Sequence, residues 1–204
     1  MQAPKLVILG RDGILNQFRD DHVKAPAEWL PIPGALEALA RLNHAGWHAV
    51  VATNQAGIGR GMIDMASLNA VHVHMMKLLA QHGGRLDAVF FCPHTPQENC
   101  DCRKPLPGMM RQIAQRYGVD LNNVPMVCDN ERDLLAAQAA GCPPHLVRSG
   151  RAASARDPQV AAWCAQVPDT AVHDDLAAFT EALLRGEAGG GDALDSGPMG
   201  LSED

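Results

Sequence analysis

The sequence has no excess of positive charge and no long apolar run, and each absence removes a class of function. Its 204 residues hold 17 Lys and Arg against 23 Asp and Glu, a formal net charge of -6. A nucleic-acid partner needs a basic footprint and is therefore not expected. An acidic chain that takes an anionic ligand must hold it through a local cluster of cations. No apolar stretch approaches the roughly 18 residues that span a bilayer, so no membrane association is expected. Residues Met1 to Lys5 lead straight into Leu6-Val7-Ile8-Leu9, with neither a signal-peptide core nor a cleavage-like site. The expectation is a cytoplasmic protein, acting as a monomer. Internal repeats are absent too.

What is present is 47% hydrophobic residues, enough for one compact domain with an ordinary core. Apolar, β-rich runs at Leu6–Leu9, His48–Ala52, Ala88–Cys92, Val124–Cys128 and His145–Val147 predict strands. Their nearly continuous apolar character suits strands covered on both faces. Between them Gly34–Ala45, Met65–His82, Gly108–Tyr117 and Glu131–Ala140 predict helices, and Asp175–Arg185 a last one. Such alternation predicts an α/β fold, a Rossmann-like parallel sheet flanked by helices. The domain is placed at residues 1–185. The acidic, Gly/Ser-rich remainder, 186–204, lacks apolar periodicity and is expected to be a disordered tail.

Three of the six cysteines crowd into one segment, Cys92-Pro93-His94 followed by Cys100-Asp101-Cys102. In a reducing compartment clustered cysteines are more often metal ligands than a disulfide framework. Three thiolates and an imidazole make the Cys₃His set of a closed structural zinc site. Against this stands only a coincidence of four side chains in a reduced loop. The remaining histidines (His22, His44, His48, His72, His74, His82, His145 and His173) do not cluster and are read as surface or packing residues. His72 and His74, two apart, cannot share a helix face.

In open parallel sheets the ligand site lies beyond the carboxyl ends of the strands. Those ends carry Gly10-Arg11-Asp12-Gly13-Ile14-Leu15-Asn16, then Thr53-Asn54-Gln55, then Arg103-Lys104-Pro105, then Asp129-Asn130-Glu131-Arg132-Asp133. In this order they resemble the four motifs of the haloacid dehalogenase-like phosphatases. The resemblance implies that Asp12 is the general acid and base, and that Thr53 and Lys104 hold the transferring phosphoryl group. It also implies a magnesium ion held by Asp129 and the Asp12 backbone, with Asp133 a supporting acid. Asp133 also reads as a first-turn carboxylate answering the helix dipole. The family's first motif is Asp-x-Asp, and its first carboxylate is the nucleophile. Here that position is Gly10, which has no group to attack phosphorus. Position 128 is Cys where Gly is usual, and Asn130 stands for a more typical Ser or Lys.

Cys-x-His, Cys-x-Cys and the Arg-Lys-Pro that follows resemble a narrower branch without a large cap domain. It comprises the D-glycero-D-manno-heptose 1,7-bisphosphate 7-phosphatases and the related histidinol-phosphate phosphatases. That resemblance covers about residues 5–180. It implies a phosphorylated sugar ligand lined by Phe18, Arg19, Asp20, Asp21 and by Thr53, Asn54, Gln55, Ala56. Arg103, Lys104 and Asn130 complete the lining, with Arg103 on the second phosphate. The function expected is removal of the 7-phosphate, with histidinol phosphate as alternative substrate. Because of Gly10, a catalytically silent sugar-phosphate binder is a further alternative.

Overall fold

A computed structural model describes residues 4–190. The chain runs β1 (Leu6–Leu9), α1 (Ala35–His44), β2 (His48–Asn54), α2 (Ala56–Gly59), α3 (Met65–Gln81), β3 (Ala88–Cys92) and α4 (Gly108–Tyr117). It continues through β4 (Met126–Cys128), α5 (Glu131–Ala140), β5 (Pro144–Val147), α6 (Arg151–Ser154), α7 (Asp157–Gln166), β6 (Ala171–His173) and α8 (Leu176–Gly190). All strand pairs are parallel, in the order β3-β2-β1-β4-β5-β6. The chain moves one way from β1 to β2 and β3, then returns to the other side of β1 for β4. The topological switch point is therefore between β1 and β4.

Side-chain alternation in β1 divides the core. Val7 and Leu9 point into one cluster with Leu36, Leu39 and Leu42 of α1, Val71, Met75 and Leu79 of α3, and Phe179 of α8. Leu6 and Ile8 point into the other, with Met110 and Ile113 of α4, Leu134 of α5 and Trp163 of α7. Both faces of the sheet are thus covered, which is why its central strands read as unbroken apolar runs. Helix starts are set locally. The Asp64 carboxylate accepts from the Ser67 amide at 2.7 Å to open α3, and Asn130 Oδ1 accepts from the Asp133 amide at 3.1 Å to open α5.

All five predicted strands form, β1 and β3 at the predicted bounds and β2, β4 and β5 with shifted ends. β2 extends past Ala52 because Thr53 and Asn54 pair with Phe91 and Cys92 of β3. β4 begins at Met126, since Val124 closes the short 3-10 turn Leu121–Asn123. β6 and α7, like the four-residue helices α2 and α6, are additional to the predicted set. β6 has three residues, with Val172 exposed, and α7 buries only Val160 and Trp163, so neither carries a strong periodic signal. α8 runs to Gly190, past the predicted boundary at Arg185. The rest of the expected tail, 191–204, lies outside the described residues.

His145 of β5 and His173 of β6 stack with 5.3 Å between ring centroids, Nδ1 to Nε2 at 3.0 Å, both against the Phe179 ring. Burial and the neighbouring imidazole push His145 down to about 4, and burial lowers His173. The folded protein therefore binds fewer protons here than the unfolded chain. Stability from this pair is full above the unfolded pKa of about 6.5 and is lost as pH falls towards 4. Thermal melts should show Tm falling between pH 7 and pH 5, with His145→Gln flattening that fall. An unchanged slope in the variant would remove the pair as its source.

Candidate active site

The ends of β1, β2 and β4 converge with the Arg103–Lys104 loop at the switch point. A cavity of about 20 Å³ there is walled by Asp12, Thr53, Lys104 and Asp133, with Arg11, Asn54, Arg132 and Arg151 around them. Thr53 and Lys104 are almost fully buried. The Lys104 ammonium donates to the Ala52 carbonyl at 2.9 Å and to Asp133 Oδ2 at 2.5 Å. Asn54 fixes that lysine's backbone: its Nδ2 donates to the Lys104 carbonyl and its Oδ1 accepts from the Lys104 amide, each at 3.1 Å.

Asp12 is aimed by three donors. Its Oδ1 accepts from Arg11 Nη2 at 2.9 Å and Asn16 Nδ2 at 3.0 Å, and its Oδ2 from Gln55 Nε2 at 3.1 Å. Burial alone would raise this carboxyl, but the Arg11 charge and the hydrogen bonds outweigh it and hold the group below its usual range. Gln55 Nε2 also donates to Thr53 Oγ1 at 3.0 Å, joining the first two strand ends.

Asp129 and Asp133 lie buried at the end of β4 and the start of α5. Burial and the Asp133 charge raise Asp129, while Asp133, despite its burial, is held down by Lys104. Asp129 Oδ2 accepts from the Arg151 amide at 3.0 Å, with the Arg151 guanidinium 3.5 Å away. The loop carrying Arg151 reaches this point because Gly150 packs on Gly13. A Cβ on Gly150, whose φ is +58°, would lie 2.3 Å from the Gly13 Cα, so only glycine fits. Ser149 Oγ donates to the Gly13 carbonyl at 2.7 Å across the same contact.

A second cavity, of about 200 Å³, adjoins the first and shares Arg11, Asp12, Asn54, Arg132 and Arg151 with it. Its walls include Phe18, Arg19, Asp20, Ala56 and Arg103, as the sequence led one to expect. Asp21 is displaced from that lining. It stands outside, accepting from Arg19 at 3.0 Å and from Lys24 at 2.6 Å. Asn130 is drawn away as well: both ends of its amide are used, by the Asp133 amide and by Asp129 Oδ1, and it lines a neighbouring cavity instead.

Cys92, His94, Cys100 and Cys102 gather with all four ligand atoms within 4.8 Å of one another. Pair separations are 3.5 Å for Cys92–His94, 3.6 Å for Cys92–Cys100 and 3.3 Å for His94–Cys102. The Cys102 thiol is pushed up to about 12 by burial and by its two neighbouring thiols. A bound cation would relieve that repulsion. Arg103, next in sequence, donates to the His94 carbonyl at 3.2 Å, so the cluster orients the arginine at the second cavity.

The chain is similar to known proteins in sequence and fold. The chain is 52% identical over 181 residues to the D-glycero-β-D-manno-heptose-1,7-bisphosphate 7-phosphatase of Bordetella bronchiseptica, covering 89% of this chain and 98% of that one. The chain belongs to this phosphatase family. The Pseudomonas aeruginosa family member is 47% identical, covering 88% of this chain and 98% of its own. The solved B. bronchiseptica structure, complexed with magnesium and phosphate, matches with a TM-score of 0.84 at 52% identity, covering 89% and 99% of the two chains. The Burkholderia thailandensis family structure matches with a TM-score of 0.68 at 46% identity, covering 88% and 98%. A family model described as HAD-hydrolase-like matches residues 101–179.

Several residues outside the expected set also meet this candidate site, Arg60 and Arg132 on the second cavity's wall among them. Arg11 is buried and bridges Asp12 to His72, its Nη1 3.2 Å from His72 Nε2. Burial and the Arg11 charge push His72 down to about 4, so it is a neutral acceptor for that guanidinium. His72 is thus more than the surface or packing residue expected, whereas His74 turns away and packs edge-on against Trp29. His22, also expected at the surface, forms part of the second cavity's wall. Arg151 stacks 3.8 Å above the Phe18 ring. It follows the fifth strand, so the strand-end rule extended by one strand finds it.

Proposed function

We propose that this chain holds D-glycero-D-manno-heptose 1,7-bisphosphate as a 7-phosphatase does, and that Gly10 stops the covalent step. The observation that carries the reading is the convergence of Asp12, Thr53, Lys104 and Asp133 on one small cavity that opens into an arginine-lined one. The 7-phosphate rests on Thr53 Oγ1 and the Lys104 ammonium. The sugar crosses between Phe18 and Ala56 towards Arg103, whose planar fork suits a second phosphate. Asp12 stands beside the leaving oxygen. It is a carboxylate at rest, and a dianionic phosphate brought against it raises its affinity for the proton it must deliver.

Asp129, raised by burial and by Asp133, fits a divalent cation, and the Asp12 main-chain carbonyl supplies a further oxygen. Position 10 adds none, so the donor set is one carboxylate short of the motif. Magnesium, when bound, neutralises charge on the phosphate oxygens. The Cys₃His cluster fits zinc: tetrahedral bonds of about 2.3 Å set ligand atoms about 3.7 Å apart, close to the separations seen. Zinc here is structural, clipping the loop that presents Arg103 and Lys104. Elemental analysis of freshly purified protein should find about one zinc per chain. Less than about half an equivalent would count against the site.

Substrate identity is tested with the Gly10→Asp variant, offered heptose 1,7-bisphosphate beside histidinol phosphate. The heptose relatives favour the bisphosphate. Preference for histidinol phosphate would overturn the assignment.

A further inference from the structure

Arg11 is a buried cation with few places to put its charge. Its side chain is 1% exposed, although it stands on the walls of both cavities. Among the described residues its guanidinium has two hydrogen-bond partners. Nη2 donates to Asp12 Oδ1 at 2.9 Å, Nη1 lies 3.2 Å from His72 Nε2, and Nε has no partner. A guanidinium carries donors only, so His72 Nε2 presents its lone pair and the ring proton sits on Nδ1.

His72 reaches this point through its place in α3. The helix buries Leu68, Val71, Met75 and Leu79, and His72 follows Val71 at the edge of that face. Its ring lies tilted against Phe91, the β3 residue paired with Thr53, at 6.3 Å between centroids. The consequence is felt at Asp12. Each carboxylate oxygen has two acceptor positions. Oδ1 uses both, on Arg11 and Asn16, whereas Oδ2 spends one on Gln55. The open position, and with it the proton bound for a leaving oxygen, is therefore on Oδ2. A dianionic phosphate entering either cavity competes with Asp12 for the Arg11 guanidinium. The bond to His72 holds Nη1, fixes the plane of the fork and so keeps Nη2 on Oδ1.

We propose that His72 is a positioning residue for proton transfer: by anchoring Arg11 it keeps Asp12 Oδ1 occupied and directs the proton to Oδ2. The role rests on the phosphatase reading given above, in which Asp12 serves the leaving oxygen. Without the anchor Arg11 turns to the phosphate and Asp12 is free to rotate. The leaving alcohol then loses its proton donor while the ligand is held at least as well.

The test compares two leaving groups in the Gly10→Asp background. The sugar oxygen of heptose 1,7-bisphosphate needs a proton to depart, and p-nitrophenolate does not. Because kcat/KM reports the steps up to departure of the leaving group, the later hydrolysis of the acyl phosphate drops out. His72→Leu should lower kcat/KM by about a hundredfold for the heptose and by less than about threefold for p-nitrophenyl phosphate. His72→Gln, whose amide oxygen can accept from Nη1, should restore most of the loss. In the parent chain, nitrogen NMR of the His72 ring at neutral pH should show a proton on Nδ1 and a bare Nε2. Equal losses on both substrates, or none on either, would make the contact merely structural; the proposal then fails and the phosphatase reading stands. A proton found on Nε2 overturns it in the same way. A Gly10→Asp chain that is slow on both substrates overturns the phosphatase reading and this role with it.

Discussion

Replacing Gly10 by Asp raises phosphate release from heptose 1,7-bisphosphate by about a thousandfold or more over a parent near background. The backbone allows the change, because Gly10 is not among the residues with positive φ. A Cβ there meets the Ile14 Cδ1 methyl at 2.8 Å and then Asp133 Oδ2 at 3.6 Å. The first contact is the far end of a flexible side chain, which a rotamer change relieves at small cost. The second places the new Cβ beside Asp133, and so beside its partner Lys104, at the wall of the phosphoryl cavity. From there a carboxylate oxygen attacks phosphorus, the bond from phosphorus to the sugar oxygen breaks, and Asp12 protonates that oxygen. Water then attacks the acyl phosphate and restores the carboxylate. Asp12 is a poor substitute as nucleophile in the parent, because three hydrogen bonds hold it in the orientation of the proton donor. A parent that is already fast would mean that attack comes from elsewhere, and a variant as slow as the parent would sink the site assignment.

Lys104→Met destabilises the protein by about 3–5 kcal/mol in magnesium-free buffer. The loss is not mainly of attraction. Lys104 and Asp133 are both buried, and removing the ammonium leaves a carboxylate with no adequate counter-charge. Arg132, half-buried and 3.6 Å from the other oxygen, is an ion-pair partner without a hydrogen bond and compensates only in part. For a domain of this size the loss lowers Tm by roughly 6–20 °C. The double variant Lys104→Met, Asp133→Asn removes the orphaned charge and recovers much of that stability, as a double-mutant cycle in urea would measure. A single-variant loss below about 1 kcal/mol would mean that water or a rearranged Arg132 already serves Asp133.

The fold was legible because its strands are unbroken apolar runs separated by amphipathic helices. Buried parallel strands leave that trace, whereas β6, three residues at an edge with one of them exposed, does not. Within the candidate site, Asp12, Thr53 and Asp129 could be placed together from the sequence because they stand at or just after strand ends, and Lys104 because the Cys-x-Cys-Arg-Lys-Pro motif leads to it. Arg11 and His72 could not. They are 61 positions apart in the chain, and a 3.2 Å contact made by packing α3 on the sheet brings them together. Asn130 shows the reverse: its position suggested a ligand contact, but its cap on α5 and its bond to Asp129 consume the amide. Asp21 likewise spends its charge on Arg19 and Lys24.

The strand order also governs when the protein can be completed during synthesis. β1 is made first yet sits in the interior of the sheet, and one of its edges remains unpaired until β4 emerges more than a hundred residues later. The turn after β1 waits longer still, since its packing partner is Gly150. A nascent chain that has passed β3 can pair only three strands, and it exposes the free edge of its most apolar one. Ribosome-bound chains ending near residue 120 should therefore bind chaperones and resist compaction, and those extending past α8 should not.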